Sequence, residues 1–295
     1  RRASEESLAA DLVDRLRRMA LMGTGSVEVK SGYGLTTDDE LKMLRAIRRA
    51  AEQVPLNVTP TFLGAHAIDR AVDNFVEVVI NETLPLVVQE FPGIACDAFC
   101  EEGAWSLADT RRLFENAVDL GCSLRVHTDQ FHSLGMTRLA VEMGALSVDH
   151  LEALSPSDLQ HLARSNTIAV ALPCSGFVLD DRYAPAREII DAGGALAVAT
   201  NFNPGTAPCP SAPFAIALGA RKLGLTSAEA ICCMTWNAAC VLGLQFDTAS
   251  LEPGKRADVQ MLSATDEREL AYEVSGPGPD WVVVGGEIVR SREDD

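Results

Sequence analysis

The sequence predicts an α/β fold, a (β/α)8 TIM-type barrel one strand short, and three observations carry that reading. Short apolar, β-branched runs alternate with helical patterns seven times, as βαβ units of a parallel sheet do. His66, His127, His150 and Asn201 each fall at or just past the end of a different run. Barrel strand ends converge on one site, whereas a doubly wound sheet uses mainly its switch point. Finally, 295 residues suffice for one large domain, or a large and a small one, with a substantial core.

The elements follow in order. RRASEESLAADLVDRLRRMALMG is an amphipathic helix that opens the chain with no element before it, which places the missing strand ahead of residue 1. The strand candidates are 26–30 (SVEVK), 57–63 (NVTPTFL), 95–99 (ACDAF), 123–127 (SLRVH), 146–150 (LSVDH), 167–172 (TIAVAL) and 196–200 (LAVAT). Between them lie helical patterns at 37–53, 107–120, 136–143, 156–164 and 185–192, with 212–223 and 227–242 after the last strand. Beyond residue 243 the pattern changes. LEPGKRADVQML and DWVVVGGEIV read as short strands around turns with no helix between them. The barrel is therefore expected over 1–243, with a small β appendage over 244–295 too short for a core of its own.

Composition narrows the function classes. Apolar residues make up 47% and charged residues 23%, as in ordinary soluble domains. The net charge of −17 argues against nucleic-acid and anionic-membrane partners. No apolar run approaches the roughly 20 residues that span a bilayer, and residues 1–20 are too charged for a signal peptide. Eight cysteines without a CxxC pair read as buried thiols of a reducing compartment, hence a cytoplasmic location.

The chemistry centres on His127 and His150, each ending an apolar run and each near an acid, Asp129 or Asp149. A lone histidine there is more often structural, but two on adjacent strand ends of a barrel point into one pocket. Imidazole suits zinc or iron, and a second one serves as proton carrier or electrophile. His66, after the small residues of FLGAHA, reads as pocket lining. His132 and His161 read as solvated. KSGYGL is a glycine-flanked turn that lets Tyr33 approach a ligand, with no phosphate-loop or dinucleotide pattern. NPGT (203–206) is a turn whose N–H groups and hydroxyl suit a small carboxylate. Cys232 and Cys233 read as packing residues on helices.

Taken together, EVKSGYGL, TPTFLGAHA, DAFCEEGAWS, RVHTDQ, SVDHLE, YAPAREIIDAGG, ATNFNPGT, MTWNAACVLGL and LEPGKRADVQML resemble the imidazolonepropionases of the amidohydrolase superfamily, across nearly the whole chain. The resemblance implies a barrel whose first strand carries a His-x-His metal motif, absent from this sequence. The 244–295 stretch then supplies the C-terminal strands of a small β-sandwich. It implies hydrolysis of 4-imidazolone-5-propanoate to N-formimino-L-glutamate with one divalent zinc or iron ion. Homodimers are common on this scaffold. By position, His127 and Asn201 would hold the metal and His150 and Gln130 would be catalytic. Tyr33, His66, Gln130, Asn203, Gly205 and Thr206 would bind the substrate. Two positions depart from the family pattern, with Gln130 in place of a glutamate and Asn201 in place of the metal-binding aspartate. An amide oxygen coordinates weakly and cannot act as a base near neutral pH. Two other readings therefore stand beside the first: a related cyclic amide or imine hydrolase with an altered substrate, and a catalytically impaired small-molecule binder.

Overall fold

A computed structural model of the chain describes residues 1–274, 276 and 278–292. Its larger sheet holds β1 (Ser26–Lys30), β2 (Asn57–Ala65), β3 (Ala95–Cys100), β4 (Arg125–Thr128), β5 (Ser147–His150), β6 (Ile168–Ala171) and β7 (Leu196–Val198). All seven run parallel, and each pairs with the next in sequence. This is the curled sheet of a barrel one strand short of eight. Its edges, β1 and β7, line one cavity together with helices Glu5–Leu21 and Trp236–Leu242.

The outer face of the sheet packs on the helices, and the largest fully buried side chains (Trp105, Phe62, Phe114, Leu44, Leu113) belong to this layer. Helix starts are set by hydroxyl caps. Ser4, Thr36, Ser106 and Ser155 each accept a backbone N–H three residues on. The inner face departs from the usual barrel filling of branched aliphatics. Glu28, Lys30, Asp97, Arg125 and Asp149 form a charged floor there.

Three elements differ from the expectation. Residues 75–90 form two helical pieces, Phe75–Val78 and Leu84–Glu90, joined by a π-turn at Val79–Thr83. The expected helix at 227–242 breaks at Thr235 into Ser227–Met234 and Trp236–Leu242. A short helix, Pro173–Leu179, follows β6 directly, with proline at its start.

The second sheet is antiparallel, in the order β10 (Glu287–Arg290), β9 (Trp281–Val284), β8 (Val259–Met261). A short helix, Glu269–Tyr272, intervenes between β8 and β9, contrary to the expectation of none. Side chains staple this sheet to the barrel. Gln260 Nε2 donates to the Gly23 carbonyl at 2.6 Å, and the Arg256 guanidinium reaches the carbonyls of Gly25 and Pro55. Among the described residues no helix is long and apolar enough to cross a membrane.

Candidate active site

The C-terminal ends of the strands open into a cavity of about 550 Å³. Tyr33, His66, His127, Gln130, His150, Asn201, Asn203, Gly205 and Thr206 all line it. Residues singled out on five separate segments thus meet in one place. A chain of rings crosses the cavity wall, from Tyr33 to His66 (4.9 Å between centroids), Phe99 (6.0 Å), His127 (6.4 Å) and His150 (5.4 Å).

His127 is oriented from below. Both oxygens of Asp97 lie 3.2 Å from its Nδ1, so Nε2 is left for the cavity. One of those oxygens also takes the Lys30 ammonium at 2.6 Å. Lys30 further approaches Glu28 at 3.0 Å and Asp149 at 3.6 Å, and Glu28 in turn faces Arg125 at 3.2 Å. Burial resists ionisation of Asp97, yet His127 and Lys30 outweigh it and hold the carboxyl well below its ordinary range. Burial likewise works against the charge on Lys30, but Asp97 and Glu28 keep its pKa above the usual value. Asp97 and Lys30 are thus both held in their charged forms. Asp97, His127 and Asp149 also bring three ligand-type atoms within 4.8 Å of one another, a possible metal cluster.

His150 shows how backbone strain aims a side chain. Register sets Asp149 opposite His127 and His150 opposite Thr128. Strand alternation alone would turn His150 away from the cavity. Its φ of +86°, followed by +74° at Leu151, breaks the alternation and brings the imidazole back. Nδ1 then lies 3.3 Å from the buried Glu152 carboxylate, which fixes the ring with Nε2 inward. The neighbouring acid, Asp129, does not enter the site. It is fully buried, accepts from Thr137 at 2.5 Å, and burial pushes its pKa up to about 6.

Asn201 occupies a left-handed backbone position (φ +53°), which Asn and Asp tolerate better than other side chains with a Cβ. Its Nδ2 donates to Ser175 Oγ at 2.7 Å, so Oδ1 is the end free for another partner. The NPGT turn is organised by its own first residue. Asn203 Oδ1 accepts from Gly205 N (2.9 Å) and Thr206 N (2.8 Å), while its Nδ2 reaches the Asn201 carbonyl at 2.7 Å. The N–H groups expected to be open to an anion are therefore held by an internal amide oxygen.

The turn bearing Tyr33 rests on Glu40, which the sequence reading passed over. Its buried carboxylate accepts the N–H groups of Gly32 (2.9 Å), Gly34 (2.7 Å) and Leu35 (3.2 Å). Gly32 sits at φ +117°, a conformation only glycine adopts freely. Glu40→Ala orphans three donors, and we expect it to lower stability by roughly 2–4 kcal/mol in urea unfolding. A loss below about 0.5 kcal/mol would contradict this account of the turn. The available signal was an acid in the first turn of a helix directly after a Gly-x-Gly.

Other expectations shift. His132 is exposed but paired with the buried Glu101 at 2.8 Å, which also accepts the Phe131 N–H. His161 is half-buried, with its Nε2 enclosed and unpartnered, so it is not the solvated residue expected. Cys233 is buried as expected, whereas Cys232 is exposed. Cys209, half-buried beside a second cleft, interacts with the buried Cys174, which holds the Cys209 thiol below its ordinary pKa while Cys174 itself is held above its own. At pH 7.5 we expect iodoacetamide to label Cys209 before the more exposed Cys232, as read by peptide mass spectrometry. Earlier labelling of Cys232 would refute that order.

A model of the amidohydrolase family matches residues 1–290. The imidazolonepropionase of Herpetosiphon aurantiacus is 44% identical over 307 aligned positions, covering 99% of this chain and 71% of its own. That of Rubrobacter xylanophilus is 41% identical, covering 98% of this chain and 70% of its own. Solved structures share the fold at low identity. A Xanthomonas campestris adenosine deaminase with bound zinc has a TM-score of 0.73 at 17% identity, over 98% of this chain and 71% of that one. An E. coli guanine deaminase has a TM-score of 0.74 at 14% identity, over 98% and 76%.

Proposed function

This chain belongs to the amidohydrolase family, and from that premise we propose that it hydrolyses 4-imidazolone-5-propanoate to N-formimino-L-glutamate in histidine degradation. It is a hydrolase of C–N bonds in a cyclic amide. The observation that carries the site assignment is the convergence of Tyr33, His66, His127, Gln130, His150 and the 201–206 segment on one cavity.

The donor set accommodates one divalent ion, zinc or iron, on the cavity side of His127. Nδ1 is committed to Asp97, which leaves Nε2 as donor, and the Ser175 contact leaves Asn201 Oδ1 as a second, weaker one. Asp97 and Asp149 already surround the Lys30 ammonium, so we assign the ion to the cavity rather than to the floor. When bound, such an ion lowers the pKa of a water and polarises a carbonyl.

The remaining work falls to side chains. His150, with Glu152 on Nδ1, takes a proton from the attacking water at Nε2. It then delivers that proton to the departing ring nitrogen as the C–N bond breaks. Gln130, buried at the wall, presents an amide to the ring, and His66 and Tyr33 flank it. The propanoate carboxylate binds at Gly205 N and Thr206 N by displacing Asn203 Oδ1. Burial, then the nearby His127, hold the His66 pKa below its usual value, which suits a neutral contact to a ring. We also propose the division at residue 243 and a cytoplasmic location.

The test is turnover of 4-imidazolone-5-propanoate by the zinc- or iron-loaded protein, with product identified by mass spectrometry. Asn201 favours a second reading, an altered substrate or an impaired binder. That reading prevails if only Asn201→Asp forms product. A protein that neither co-purifies with zinc or iron nor takes either up would remove the metal from the scheme.

A further inference from the structure

We propose that Lys30 is a tethered internal cation that fills the position of a second metal ion, restricting the site to one metal while orienting His127 through Asp97. Asp97, His127 and Asp149 form a three-ligand cluster with atoms within 4.8 Å. That spacing is what a divalent cation needs, yet the cluster already holds a charge. The Lys30 ammonium has three N–H donors and three carboxylates around it, Asp97 at 2.6 Å, Glu28 at 3.0 Å and Asp149 at 3.6 Å. One donor hydrogen-bonds Asp97, and the other two carboxylates complete the ion-pair shell.

Charge leads to the same place. Glu28, Asp97 and Asp149 face two fixed cations, Lys30 and Arg125, so the carboxylates of the floor are already largely offset by cations of the chain itself. A divalent ion entering the cluster would sit within a few ångströms of the ammonium and would have to expel it. Like charges at such separations in a buried site repel strongly. An ion on the far side of the imidazole meets no such conflict.

The tether explains the geometry of His127. Lys30 projects from β1 and crosses the barrel interior to carboxylates on β3 and β5. One Asp97 oxygen is pinned by Lys30, which fixes the rotation of the carboxyl group that holds His127 Nδ1. Lys30 is therefore a positioning residue, two bonds removed from the chemistry. A lysine cannot be lost to chelators or exchanged for another ion, so the floor keeps its charge when the cavity-side metal is removed.

The experiment is a Mn²⁺ titration of the protein by electron paramagnetic resonance, comparing wild type, Lys30→Met, Lys30→Gln and Lys30→Met/Asp149→Asn. Removing the ammonium frees the cluster, so both single variants are expected to bind one more Mn²⁺ than wild type. The double variant is expected to lose it, or to bind it at least about tenfold more weakly. If Lys30→Met melts without a cooperative transition, Mn²⁺ is expected to restore one, while the wild-type Tm stays unchanged by further Mn²⁺. Equal Mn²⁺ counts in wild type and the single variants would overturn the proposal. So would retention of the extra ion in the double variant, or failure of both single variants to fold with Mn²⁺ present. The count of bound ions does not depend on the substrate assignment, so the two proposals fail separately.

Discussion

Replacing His150 by Asn is expected to lower kcat for 4-imidazolone-5-propanoate by about 10²–10⁴-fold, the range for loss of a general acid–base group. The size follows from position 201. An aspartate there would offer a second proton acceptor, but the Asn201 amide has no lone pair basic enough near neutral pH. In the proposed scheme His150, held by Glu152 at 3.3 Å, takes the water's proton without that second acceptor. The prediction has a coupled form. In an Asn201→Asp background the His150→Asn substitution should cost roughly tenfold less, because the new carboxylate shares the role. Steady-state kinetics on the four proteins of this cycle measure it. A loss under about tenfold in the native background, or equal losses in both, would remove His150 from the role.

The largest effect on stability is expected from Trp105→Ala, a loss of about 3–5 kcal/mol in urea unfolding. Trp105 is the bulkiest fully buried side chain of the core, so truncating it removes the largest buried volume a single substitution can. It is also a local clasp. Its N–H reaches the Phe99 carbonyl at 3.2 Å, its carbonyl accepts from Glu101 N at 3.2 Å, and Nε1 donates to the Ala67 carbonyl at 3.3 Å. That last bond ties the segment after β3, bridged to Cys100, to the residue after His66. Trp105→Ala should therefore raise KM as well as unfold more readily. Trp105→Phe keeps most of the volume and should cost well under half as much. Equal costs for the two would show that volume is not what matters there.

The strands were readable as short apolar runs alternating with helical patterns, and the site was readable because the polar residues at or just past several of their ends share one end of the sheet. His127, His150 and Asn201 needed no more than that. What the pattern could not convey is the interior. Glu28 and Lys30 in SVEVK resemble the solvent-facing positions of an alternating strand, yet they point into the barrel and pair with Asp97 and Asp149. A charge inside a barrel has the same local spacing as a charge outside it. The helical segment at 75–90 was missed for a different reason. FVEVVINETLPLVVQE is rich in Val and Ile, which favour strands in isolation, and burial against the sheet overrides that preference. Nor does sequence reveal that φ at His150 reverses its direction, or that Asn203 fills its own turn.

The strictly consecutive strand order has a consequence for how the protein is made. Each strand pairs with the one synthesised just before it, so every long-range contact in the sheet is modest in sequence separation and a chain emerging from the ribosome can dock one unit at a time. Lys30, Asp97 and His127 are in reach of one another once four strands are out. Tyr33 and Asn201 are not, because they follow β1 and β7, the two edges that border the same cavity. The Lys30–Asp97–His127 part of the floor can thus form while the chain is still being made, whereas the substrate pocket needs both edges of the sheet.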